Sequence, residues 1–114
     1  MSLEITIRKR DAVTILDLQG QVTAGPESDS LGSCLQELAD QGARKVVLNL
    51  AKVEKMDTSG ISSIVRAFVS LGRDGGKLAL LNARGRVRMV LEMTRLLNVF
   101  PNFEDESVAL LSLS

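Results

Sequence analysis

Lys45-Val46-Val47-Leu48-Asn49-Leu50 is followed, after a short connector, by Met56-Asp57-Thr58-Ser59-Gly60-Ile61, and the way these two runs join decides the fold. The first run is short and β-branched, so it reads as a buried strand. From Ser59 the pattern changes: Ile61, Ile64, Val65, Phe68 and Leu71 or Gly72 recur at the i, i+3, i+4, i+7 spacing of one apolar helix face. Asp57, Thr58 and Ser59 stand where the period switches, which makes them a strand-to-helix turn. Small oxygen-bearing side chains suit such a turn because they cap free backbone N–H groups. One cap would suffice. Three in a row, followed by a glycine where Gly costs roughly 1 kcal/mol against Ala, suggest a second use. Gly60 leaves the Ser59 hydroxyl approachable by another molecule, and the positive end of a helix dipole accommodates a phosphate. The combination suits a modification switch.

The rest of the chain builds an alternating α/β pattern around that turn. Leu3, Ile5 and Ile7 alternate with polar residues as a first strand that turns at Lys9-Arg10-Asp11. Ala12 to Gln19 is a second strand, in which the parity change between Ile15 and Leu16 signals a bulge or burial on both faces. Gly20 breaks the pattern, with Val22-Thr23 as a short further strand. Glu27 to Gln41 reads as a helix with the stripe Leu31, Cys34, Leu35, Leu38 and Ala39, stopped by Gly42. The second helix ends at Gly75-Gly76, Leu78-Ala79-Leu80-Leu81 is a continuous apolar strand, and Arg84 to Thr94 is a third helix with Val87, Val90, Leu91 and Thr94 inward. Val99-Phe100-Pro101 reads as a last short strand and Glu104 to Ser112 as a terminal helix, with Val108, Leu111 and Leu110 as its apolar set. Strands alternating with helices imply parallel neighbours at Val46–Leu50 and Leu78–Leu81.

Composition narrows the function. The 114 residues suffice for one domain, 1-114. Fourteen basic residues balance fourteen acidic ones, so no global field favours nucleic acid or a membrane. With no histidine and a single cysteine, Cys34, the chain offers no Ser-His, Cys-His or zinc-ligand constellation. No catalytic residue, metal or cofactor is expected. Cys34, on an apolar helix face, reads as a buried, inert thiol. The apolar runs fall far short of the roughly 20 residues of a spanning helix, and a cytoplasmic location is expected. The arginines 84, 86 and 88 form a cluster without a Gly-rich phosphate loop, which reads first as a solvated helix face.

The run VVLNLAKVEKMDTSGISSIV resembles the signature of the STAS domain family, the anti-sigma factor antagonists of bacteria, and the resemblance extends over nearly all of the chain. It implies a single STAS-like α/β domain: a mixed sheet of four to five strands with about four helices, mostly on one face. It implies that Ser59 is the phosphoacceptor, with Thr58 as the rival. The partner would be an anti-sigma factor that is a serine kinase of the histidine-kinase-like ATPase type. The surface implied is Thr23, Asp57, Thr58, Ser59, Gly60, Ser62 and Ser63. Phosphorylation would release the kinase, which returns to its sigma factor. Two departures from the family stand out. Gly20-Gln21-Val22-Thr23 has Thr23 where relatives carry an acidic residue that contacts the partner, and Arg95 follows the third helix where relatives carry Gly. The alternative is a scaffold subunit of a signalling complex, or the soluble partner of a lipid-transport ATPase, without phosphorylation. Neither direct nucleic-acid nor membrane contact is expected, and monomer or weak dimer stays open.

Overall fold

In the computed structural model, which describes residues 2–113, the chain runs β1 (Leu3–Arg10), β2 (Val13–Val22), α1 (Pro26–Asp40), β3 (Lys45–Met56), α2 (Thr58–Arg73), β4 (Lys77–Leu81), α3 (Gly85–Met93), β5 (Asn102–Phe103) and α4 (Glu106–Leu113). The five strands form one sheet in sequence order. β1 and β2 are an antiparallel hairpin, with Arg10 paired to Val13 across a two-residue loop. β2, β3, β4 and β5 are parallel. The expected pairing of Val46–Leu50 with the β4 run is present, from Val46↔Leu78 to Asn49↔Leu81. A sheet that grows in one direction through crossovers of one hand keeps the connecting helices on one face.

That face carries the main core. Leu16, Leu18, Val46, Leu48, Leu78 and Leu80 from the sheet meet Leu31 and Leu35 of α1, Ile61 and Ile64 of α2, and Val87 and Leu91 of α3. The opposite face is covered more thinly: Val13, Ile15, Val47, Ala79 and Leu81 lie under Leu113 of α4. The parity change in β2 is thus burial on both faces, since Ile15 belongs to the α4 side and Leu16 to the main core. Strands buried on both faces read as continuous apolar runs.

Three strand boundaries and one helix face differ from the sequence reading. The connector after Leu50 is strand: β3 continues to Met56, with Val53 and Met56 buried. Its second half pairs with β2 from Gln19↔Lys52 to Val22↔Met56, with one register irregularity before it, between Asp17 and Gln19, and one within it, between Gly20 and Gln21. β4 has already ended, so this half packs on one side only and lacks the apolar run of a central strand. Gly20 likewise does not end β2. It sits at φ 114 within the strand, where a Cβ would stand 2.2 Å from the Ser2 carbonyl oxygen. Val99-Phe100-Pro101 is a turn, not the last strand, because Val99 N and Phe100 N donate back to Leu96 O. Pairing with β4 starts at the Pro101 carbonyl, which accepts from Leu80 N at 2.8 Å. Phe100 is buried edge-on against Phe68, with ring centroids 5.0 Å apart. In α4 the inward residues are Ala109 and Leu113, while Val108 and Leu111 are exposed. An eight-residue apolar helix has almost no periodic contrast, so only docking selects its face.

Candidate functional site

The turn that opens α2 is held by Asp57. It is the N-cap, and its Oδ1 accepts from Ser59 N at 3.0 Å and Gly60 N at 3.2 Å. Oδ2 accepts from Ala24 N at 2.8 Å, so the same carboxylate ties the β2–α1 loop to the start of α2. Partial burial pushes this carboxyl up, but the N–H groups of Ala24, Gly60 and Ser59, with Lys55 nearby, outweigh it and hold it below the ordinary carboxylate range. The α2 N-terminus therefore already carries a negative charge.

Around that cap the hydroxyls differ in placement. Thr58 is exposed and Ser59 half-buried. Among the described residues the Ser59 hydroxyl has no hydrogen-bond partner; the bonds at Ser59 are made by its backbone, N–H to Asp57 and carbonyl oxygen from Ser63. Ser62 Oγ, exposed, donates to Thr58 O at 2.9 Å. Ser63 is buried, its hydroxyl 3.1 Å from Ser28 O and 3.3 Å from Ser59 O, with one proton to donate between them. It joins α2 to α1 beside Gly32, where a Cβ would make an ordinary contact with Ser63 Oγ at 3.6 Å. Thr23 is half-buried and its carbonyl accepts from Ser28 N at 3.1 Å. Thr23 reaches the site through its neighbour, since Asp57 holds Ala24.

Gly60 has a different reason from the one read in the sequence. It is buried, and a Cβ would stand 2.5 Å from Val22 O and 2.7 Å from Val22 Cγ1. The glycine lets α2 begin hard against the end of β2. It does not clear space around Ser59.

Two further expectations can be placed. Cys34 is half-buried, and burial with Glu37 nearby pushes its thiol up, away from the reactive thiolate. Arg84 is the N-cap residue of α3 and donates to Asn82 Oδ1 at 2.7 Å; Arg86 is exposed; Arg88 pairs with Glu92 at 3.1 Å. Arg95 keeps a left-handed helix end despite not being glycine: its φ is 61, Arg95 N donates to Glu92 O and Leu96 N to Leu91 O.

Two ties were not read from the sequence. One is the Ser28–Gly32–Ser63 contact, whose signal was a pair of small residues four apart on α1. The other lies on the α4 side, where Arg8 donates both to Asp17 and to Glu106, with Arg8 Nη2 2.7 Å from Glu106 Oε1. Arg8 holds the Asp17 carboxyl below its ordinary range, with Asn49 adding an amide donor at 2.8 Å. No sequence spacing links residues so far apart.

A mixed sheet with three helices on one face, and a carboxylate-capped turn presenting Thr58 and Ser59, defines a compact domain with an exposed hydroxyl site. The STAS domain family model matches residues 4–109, and the chain belongs to that family. The anti-sigma F factor antagonist of Paenibacillus polymyxa is 26% identical over 114 residues, covering 99% of this chain and 97% of that one. Among solved structures, TM1081 of Thermotoga maritima superposes with a TM-score of 0.89 at 24% identity, over 96% of this chain and 93% of that one. The phosphorylated form of the Bacillus cell fate determinant SpoIIAA gives a TM-score of 0.77 at 18% identity, over 97% and 100%. At these identities the two structures speak for the fold. No helix among the described residues is long and apolar enough to cross a membrane.

Proposed function

We propose that this chain is an anti-sigma factor antagonist that works as a phosphorylation-controlled binding module, not as an enzyme. Unmodified, it docks through the turn that opens α2 onto an anti-sigma factor that is itself a serine kinase of the histidine-kinase-like ATPase type. The kinase phosphorylates Ser59, releases the chain and returns to its sigma factor, all in the cytoplasm. Thr58, Ser59 and Ser62 form the contact, with Thr23 at its edge; Asp57, Gly60 and Ser63 set its geometry from within.

The observation that carries this reading is the Ser59 hydroxyl: half-exposed, held at a helix start by the Asp57 cap, and without a hydrogen-bond partner among the described residues. A phosphate there adds about −1.5 to −2 charges at neutral pH. The capping N–H groups of Ser59 and Gly60 already serve Asp57. The phosphate would therefore find a carboxylate beside it and few free donors. Solvent tolerates that pair of charges, but a desolvated interface does not, since an unpaired buried charge costs several kcal/mol. A relative solved in a phosphorylated form supports the chemistry.

Incubation with ATP and each candidate kinase of the source genome, followed by mass mapping, tests the assignment. Phosphate on Ser59, lost in Ser59→Ala and retained in Thr58→Ala, is expected. Normal phosphorylation of Ser59→Ala would move the acceptor to Thr58 or end the switch reading.

A further inference from the structure

Charge on this neutral chain is sorted between two helices. α1 carries Glu27, Asp29, Glu37 and Asp40 and no basic residue. Residues 84–95, spanning α3 and its ends, carry four arginines against one acid, Glu92. α1 packs on α2, whereas α3 packs on β3, and α1 and α3 are not a packed pair. The opposite charges therefore do not neutralise one another within the molecule. The three salt bridges among the described residues leave Arg86, Asp29 and Glu37 unpaired.

Each charged face carries apolar surface beside its charges. On α3, Met89 is 59% and Met93 76% exposed, one turn apart beside Arg86. Methionine and arginine are the residues enriched in protein interfaces, where lysine and glutamate are depleted, and methionine adapts to irregular gaps. All the cations of this segment are arginine. On the other side a groove of about 1180 Å³ runs between α1 and α2, with Val65, Val69 and Ala39 in its lining. Asp29, Glu37 and Asp40 form its α1 bank; Arg66 and Arg73 lie on the α2 bank.

We infer that the chain binds a second copy of itself, the Met89–Met93 ridge of one molecule lying along the α1 bank of the groove of the other. The two arginine-flanked methionines enter the groove, and Arg86 faces the acidic bank. The faces are different patches of one chain, so two such contacts close a symmetric dimer and a single one joins molecules head to tail.

Sedimentation velocity on the intact chain tests this, with a salt series and a charge swap. At low ionic strength the wild type should sediment as dimer or larger, and it should dissociate as salt rises from ~0.01 M to ~1 M, because screening shortens from about 30 Å to about 3 Å. Arg86→Glu and Glu37→Arg should each weaken self-association by about tenfold or more when alone. Mixed in equal amounts they should associate again, since the mixture restores opposite charges across the contact. Both sites are exposed, and circular dichroism of each variant establishes that the fold is intact. A wild type that stays monomeric at low salt, an association insensitive to both variants, or a mixture no better than its components would overturn the inference. Ser59, Ser62 and Ser63 line the same groove, so the measurements are made on the unphosphorylated chain, and phosphosite mapping tests the Ser59 assignment separately.

Discussion

Asparagine is as good as aspartate at an ordinary N-cap, so Asp57→Asn isolates what is particular to this turn. The carboxylate accepts on both oxygens: Ser59 N and Gly60 N on Oδ1, Ala24 N on Oδ2. An amide has one acceptor. Its NH2 must face either the Ala24 N–H or the two helix N–H groups, a donor against a donor. A hydrogen bond to a charged group contributes roughly 1.5–3 kcal/mol. Ala24 is exposed, so water replaces part of the loss, and screening leaves a cost of about 1 kcal/mol. Asp57→Ala, which loses both ties, should cost about 2 kcal/mol. For a domain of this size, 1 kcal/mol lowers Tm by about 4 °C. The sign with pH is fixed by the depressed carboxyl of Asp57. Its contribution is complete above the unfolded value of about 3.9 and disappears as pH falls through the folded value. Urea unfolding of wild type and Asp57→Asn at pH 7, and again in steps below pH 4, should therefore show a gap that narrows in acid. Asp17, also held low, destabilises both proteins together and cancels in the difference. Equal stability at pH 7, or a gap constant through acid, would refute the two-sided cap.

Gly60→Ala should destabilise by up to about 2 kcal/mol in thermal unfolding: overpacking costs roughly 1–3 kcal/mol, offset by the ~1 kcal/mol helix gain of alanine, because the new methyl would meet Val22 O at 2.5 Å. A gain in stability would sink the close-approach account. Arg95→Gly should raise stability by about 1 kcal/mol, since a side chain at φ 61 strains the helix end; an unchanged or lower Tm would count against it. Ser59→Asp should leave stability within about 0.5 kcal/mol of the parent, the helix dipole favouring the charge by roughly 0.3–1 kcal/mol and the neighbouring Asp57 opposing it. Partner affinity measured on the same preparation should drop more than tenfold, as 1.4 kcal/mol already gives that factor; unchanged affinity would remove Ser59 from the interface.

Much of the architecture was legible because its signals are local. The apolar run Val46–Leu50, the change of period at Asp57 and the glycines at 42, 75 and 76 each depend on a handful of adjacent residues. Backbone sterics and burial then dictate strand, turn or helix whatever lies elsewhere. The same holds for the hydroxyl pair at Thr58 and Ser59, placed at a helix start by the sequence alone. Contacts between distant segments decided the rest. The extension of β3 to Met56 requires β2 to be there to pair with, and the face of α4 requires the sheet beneath it. The carboxylate of Asp57 became a tie between α2 and the β2–α1 loop only when folding brought Ala24, 33 residues earlier, within 2.8 Å. Gly60 looked like a gap beside Ser59 and is a point of contact with Val22, because a missing side chain reveals nothing about which neighbour takes the space.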